Sequence, residues 1–292
     1  MLNLTTLSLL ICLLLPLNVI DALAQMPRER ANQRGPVQEM FWTPSLMLMS
    51  SAANLEKNNL DFTIKHVFGI ATNGPEDLFG LDAPANVRFG IDYGISDRIS
   101  IGFGRSKFEK LYDFRGKINI LRQTQDNSTP LEIAFAGNIG ISTLANGYDF
   151  LDKLSYSSTL HVARKFSERF SLQFSPTYTH FNLVSIERDI DNSIIDAMND
   201  HVAIGIAGHY AISQRVALLI AVLPVVGKRS DNTRDAAALG VNLETGGHVF
   251  QLFFTTTQSM TEQHVISKNN DRFLRGDFRF GFNVFRTFST GG

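Results

Sequence analysis

The stretch ANVRFGIDYGI, residues 85–95, alternates with period two: Val87, Phe89, Ile91, Tyr93 and Ile95 share one face, and Asn86, Arg88, Gly90, Asp92 and Gly94 share the other. Successive side chains of a strand point to opposite sides, so this is a strand with one apolar and one small or polar face. The next run keeps the split, with Ile99, Ile101 and Phe103 opposed to Ser100, Gly102 and Gly104. Between the two runs stands Ser96-Asp97-Arg98, and the same form returns as Ser167-Glu168-Arg169 and Ser213-Gln214-Arg215. Each is a short polar break between strand-like runs, which reads as a tight hairpin turn.

The pattern predicts twelve strands, from LDFTIKHVFG at 60–69 to GDFRFGFNVF at 276–285. A soluble sandwich also alternates. What separates the two folds is the small face, where glycine and alanine recur in mid-strand, and an apolar face dense in the chain's 23 phenylalanines. A solvated face favours Thr, Lys and Glu instead, and runs of about ten residues match a membrane-crossing strand. Connection lengths point the same way. The second, sixth, eighth and tenth are SDR, SER, SQR and TGG, with the longer RQTQDNSTP fourth. The first, fifth, seventh, ninth and eleventh are long, as in ATNGPEDLFGLDAP and LVSIERDIDNSIIDAMND, and only SKFEK is short among that set. An even-stranded barrel with both ends in the periplasm has short periplasmic turns and long outer loops. The expected fold is therefore an all-β, antiparallel transmembrane β-barrel of about twelve strands, with the Ser-x-Arg units as periplasmic turns. Asn127-Ser128-Thr129 reads as a turn, and His248 after Gly246-Gly247 as another. Arg164 and His66 fall in the outward register, His66 as the mark of a bulge or a phase error in the first strand.

Residues 1–24 read as a cleaved signal peptide: an apolar stretch from Leu7 to Ile20, then the small-x-small pattern Ala22-Leu23-Ala24. The chain's one cysteine, Cys12, lies in that stretch, so disulfides and thiolate chemistry are excluded from the rest. Residues 25–58 form an N-terminal segment, periplasmic or luminal, and 59–292 the barrel. A net charge of -1 and a pI near 6.7 leave no basic excess for a phosphate backbone, so nucleic acid is not an expected partner.

No catalytic or metal motif emerges. His201 and His209 share a face but stand roughly 27 Å apart at strand rise, too far for one metal. His161 and Ser157 are about 13 Å apart, too far for a nucleophile and its base. No phosphate loop or dinucleotide fingerprint appears, so the reading is not an enzyme, with no cofactor. The lumen-lining candidates are Arg88, Asp92, Asp113, Arg115, Lys117, Glu132, His161, His209, Glu244, Asp277 and Arg279. They either pair across a filled lumen or form a charged constriction.

The last run, GDFRFGFNVFRTF, places Phe278, Phe280, Phe282 and Val284 on one face and ends on Phe288. It is similar to the aromatic final strand by which the barrel-assembly machinery recognises its clients, although Arg286 breaks the register and STGG follows. IDYGISDRISIGFGRSKFEK (91–110), ARKFSERFSLQFSPTYTH (163–180), ETGGHVFQLFF (244–254) and GDFRFGFNVFR (276–286) together resemble a family of β-barrel proteins of Gram-negative bacteria, of the Bacteroidota type, classified as a domain of unknown function. The resemblance runs from about residue 60 to 288. It implies an outer-membrane barrel in lipid and carries over no activity. Two functions remain open. One is a narrow channel or uptake barrel for a small hydrophilic solute. The other is a structural or interaction barrel with a filled lumen, whose outer loops bind a partner.

Overall fold

The structure is a computed structural model describing residues 35–184, 187–188, 194–195 and 198–290. The expected signal peptide at 1–24, Cys12 and half of the loop from 183 to 200 lie outside the described residues. The expected twelve strands are present: β1 Asn59–Ile70, β2 Asn86–Ser96, β3 Ile99–Ser106, β4 Leu111–Leu121, β5 Glu132–Ser142, β6 Leu154–Lys165, β7 Phe170–Phe181, β8 Asp200–Ala211, β9 Val216–Leu223, β10 Ala236–Glu244, β11 Val249–Thr255 and β12 Arg279–Ser289. Past Pro224, β9 continues as Val225–Val226 along β8. Each strand pairs antiparallel with its neighbours in sequence, and β12 closes on β1 from Arg279↔Ile70 to Ser289↔Asn59. Closure leaves no sheet edge, so the backbone is satisfied without water.

The faces sort as the alternation requires. Phe89, Ile101, Phe103, Phe114, Phe135, Ile220 and Phe254 stand exposed on the outside. Exposed aromatic surface of this extent belongs in lipid. Phe68, Phe280 and Phe282 continue it, and His66 stacks on Phe282 at 5.0 Å within that outward column. The phase of β1 is thus as read, and a register shift does lie beside His66, on β12 between Arg279 and Gly281.

The Ser-x-Arg turns share one local device. Ser96 Oγ accepts the Arg98 N–H at 3.3 Å. Ser167 Oγ accepts those of Arg169 and Phe170 at 3.3 and 3.1 Å, and Ser213 Oγ those of Arg215 and Val216 at 3.2 and 3.1 Å. The serine thus replaces a missing backbone acceptor where the chain reverses.

The lumen is occupied from both ends. Residues 35–58 enter at the short-turn end, where Val37 N–H donates to Gln123 O at 2.7 Å, and leave it again where Asn58 N–H donates to Gly94 O at 2.8 Å. Between, they form a hairpin, Ser45–Leu46 paired with Met49–Ser50, whose residues Met40, Phe41, Leu46, Met47, Leu48 and Met49 are buried. These pack on the small inner face of β8–β11, including Ala203, Ala207, Ala221, Ala236 and Ala238. From the long-loop end the β11–β12 connection folds inward with a short helix, α1 Glu262–Ser267. The two meet where Ser50 N–H donates to Glu262 Oε1 at 2.8 Å.

Candidate functional site: a divided lumen

The inner wall of β1–β4 differs from that of β8–β11: it is charged, and four of its charges, Arg88, Asp92, Asp113 and Arg115, are paired. Arg88 grips Asp113 through Nε and Nη2 at 2.8 and 2.7 Å, with both side chains fully buried. Arg115 Nη2 donates to Asp92 Oδ2 at 2.8 Å, and its Nε lies 3.6 Å from Asp113 Oδ1. Such forked pairs need room, and glycine supplies it. A Cβ on Gly104 would stand 1.9 Å from Arg88 Nη2, and one on Gly102 1.9 Å from Asp92 Oδ1. Asp61 accepts from Thr63 and Thr287 at 2.9 and 2.7 Å.

The hairpin is held to the remaining wall by polar side chains that reach its backbone. Gln173 Oε1 accepts the Ala52 N–H at 2.6 Å, which fixes the amide's orientation and turns Nε2 toward Ser50 O, Ser175 Oγ and His161 Nδ1. An NH₂ facing Nδ1 favours the tautomer with its proton on Nε2, donated to Ser50 Oγ at 3.0 Å. In that tautomer His161 clamps Ser50 and does not activate it. On the opposite side Gln251 Oε1 accepts the Met47 N–H at 3.2 Å. Lys117 Nζ donates to Ser51 O at 2.9 Å and to Ala53 O, and Lys65 Nζ to Ser45 Oγ at 2.8 Å.

The sequence candidates therefore fall into two groups. Arg88, Asp92, Asp113, Arg115, Lys117, Glu132, His161 and His209 gather around the hairpin or its flanks. Glu132 accepts from Asn119 Nδ2 and from Gln123 N–H at 3.1 Å, and His209 meets Trp42 edge-on at 5.1 Å. Glu244, Asp277 and Arg279 are in the inward register but sit at strand ends. Glu244 accepts the Gly246 N–H of its own turn, Asp277 the Arg272 N–H, and Arg279 pairs with Asp271. Sequence reasoning passed over Asp61 and Lys65, which share the inner face of β1 and were open to the same period-two argument. It also passed over the buried amides Gln173, Gln251 and Gln263. Glu262 lies in a loop with no periodicity to betray it.

Between the hairpin and the charged wall a small cavity of about 50 Å³ remains, bordered by Lys65, Asp92, Arg115, Lys117, Asn138 and Glu262. A second, larger hollow of about 530 Å³ opens toward the long loops, bordered by Phe108, Glu109, His264, Lys268 and Arg279. Helix α1 borders both, Glu262 the inner space and His264 the outer. Burial works against the charge of Glu262, but the Ser50 N–H it accepts and the nearby Lys65 charge hold its carboxyl below the usual range. The outer side of α1 is latched to the β3–β4 turn. His264 Nε2 donates to Glu109 Oε2 at 3.1 Å while Thr261 hydroxyl bonds Nδ1 at 2.8 Å, and Lys268 reaches Glu109 Oε1. Burial opposes ionisation of Glu109 too, yet His264 and Lys268 hold its pKa at about 2. Burial pushes the His264 ring down, so Lys268 supplies the charge at neutral pH. Among the described residues no group of three or more His, Cys, Asp or Glu is placed to hold a metal ion.

Comparison with known proteins agrees with this architecture. Among curated proteins none matches the chain. Among solved structures, an outer membrane channel from Pseudomonas putida F1 is similar with a TM-score of 0.50 and 10% identity, over 81% of this chain and 98% of that one. The NanC porin gives a TM-score of 0.49 at 7% identity, over 78% of this chain and 98% of its own, and the KdgM porin 0.48 at 6%, over 79% and 99%. At these identities the likeness to the Pseudomonas channel is one of fold. The family model described as "Membrane bound beta barrel domain (DUF5777)" matches residues 41–288, which takes in the hairpin as well as every strand. The chain belongs to this family of membrane-bound β-barrel domains and is an outer-membrane protein.

Proposed function

We propose that the protein is a narrow outer-membrane channel or uptake barrel for small hydrophilic solutes, which pass alongside a resident hairpin. One observation carries this reading: the lumen is divided, with the hairpin's apolar side chains on the alanine-rich wall of β8–β11 and the charged wall of β1–β4 facing a polar cavity. Water finds hydrogen-bonding partners along that polar wall, and widening of the cavity beside the hairpin would extend the same partners to a small polar solute. The cavity's border carries Lys65, Arg115 and Lys117 against Asp92 and Glu262, a positive balance that favours anions. The short turns lie in the periplasm and the long loops outside, as expected of such barrels, and insertion falls to the barrel-assembly machinery.

The test is ion conductance of the purified protein in a planar bilayer. Small stepwise currents are expected, with a reversal potential that moves toward cations in Lys117→Ala. The hydrogen bonds clamping the hairpin from several strands favour the second reading, a filled barrel whose loops bind a partner. A folded protein that stays electrically silent would establish that reading against ours.

A further inference from the structure

The long-loop end carries a cluster of like charge that the passage does not use. Two connections are tied together there. Arg234 N–H donates to Asn269 O at 2.7 Å, Asn269 Nδ2 returns a bond to Arg234 O at 3.1 Å, and Thr233 Oγ1 donates to Ser267 O at 2.9 Å. This sets Arg234 beside the turn that carries Arg272 and Arg275. The turn is rigid, since Gly276 takes the left-handed conformation at φ 81°, Asp277 N–H bonds back to Arg272 O at 3.2 Å, and Arg272 N–H to Asp277 Oδ2 at 3.1 Å. The guanidiniums are close enough for Arg234 and Arg275 to lower the pKa of Arg272 by repulsion.

Salt bridges take up two of the neighbouring acids. Asp271 is bound by Arg279 and Asp235 by Arg229, which leaves Asp277 acting on Arg272. Among the described residues none of the three arginines forms an ion pair. On the same turn Leu274 is 98% exposed and Phe273 53%. In water that arrangement is unfavourable. The chain then runs directly into the lipid-facing aromatic column, where Phe278 meets Phe254 edge-on at 5.6 Å and Phe280 stacks on Phe68 at 5.8 Å. Apolar tips continuous with the lipid belt, beside guanidiniums held in no salt bridge, match an amphiphile with an acyl chain and an anionic head. Guanidinium forks fit phosphate oxygens in particular.

We infer that Arg234, Arg272 and Arg275 bind the phosphate of an outer-leaflet lipid, with Phe273 and Leu274 set against its acyl chains. The site depends on the barrel's place in the membrane and not on whether the lumen conducts. The test uses the full-length barrel in neutral detergent and native mass spectrometry, with three probes: phosphatidic acid, a diacylglycerol of the same acyl chains, and inorganic phosphate. Phosphatidic acid is expected to remain bound and the other two to be lost. Combined Arg234→Gln, Arg272→Gln and Arg275→Gln should weaken retention by about tenfold or more, whereas the three Arg→Lys changes keep part of it. Leu274→Ser should weaken it less. Heat-modifiable gel mobility checks folding, and the exposed Arg275→Gln alone serves if the triple variant does not fold. Retention of phosphatidic acid by the glutamine variant equal to that of the unaltered protein would overturn the inference. So would equal retention of inorganic phosphate, which marks a free-anion site.

Discussion

Gly104 and Arg88 illustrate how little of a residue's reason shows in its sequence position. The glycines of the inner face were legible as a small face, but their cause is the guanidinium that lies over them, contributed by a different strand. Because Arg88 is fully buried and held by both oxygens of Asp113, it cannot swing away from a new methyl group. Gly104→Ala should therefore lower stability by about 1–3 kcal/mol, as overpacking does, despite its small size. Asp113→Asn removes the counter-charge and leaves a buried guanidinium half satisfied, which should cost about 3–5 kcal/mol. Heat-modifiable gel mobility or urea unfolding in detergent reads both. An unaltered midpoint for Asp113→Asn would show that the pair is solvated in the membrane.

At the scale of elements the strands were legible because period two is a local property, visible in eleven consecutive residues of β2. Phe103 illustrates what the outward face implies: Phe103→Arg near the bilayer midplane should cost about 2–4 kcal/mol in the same unfolding assay. The hairpin and α1 were not legible. FWTPSLMLM has no alternation, and its burial depends on alanines of β8–β10 far along the chain. Helix α1 is likewise defined by what it touches: Ser157, Asn138 and Ser155 on the barrel wall bond to Gln263, and Glu109 latches its outer end. The latch has a definite pH response. The Glu109 pKa is depressed from 4.5 to about 2, so the ionised carboxylate stabilises the folded latch above pH 4.5, and that contribution is lost as pH falls from there through about 2. Hydrogen exchange of the 262–268 amides should stay slow at pH 6 and quicken below pH 4 relative to the strands. Glu109→Gln should exchange quickly at both pH values, and equal protection in both proteins would count against the latch.

For the whole molecule, orientation and passage are the two statements that matter. Single cysteines at Asp97, Glu168 and Gln214, on the short turns, should resist an impermeant thiol reagent on intact cells, while one at Asn232, on a long loop, should label. Labelling of all four would reverse or dissolve the topology. The passage claim is that solute moves beside the hairpin while the hairpin stays. The Met49 Sδ and Cε lie 2.9 Å from where a Cβ on Gly205 would stand, so cysteines at 49 and 205 are within reach of a short bis-thiosulfonate crosslinker, cleavable by reduction, that tethers the hairpin to β8. Conductance of this variant, recorded in the same bilayer before and after reduction, tests the claim most directly. The account predicts the same stepwise current in both states, and current that appears only after the tether is cut would show that the hairpin must leave for the barrel to open.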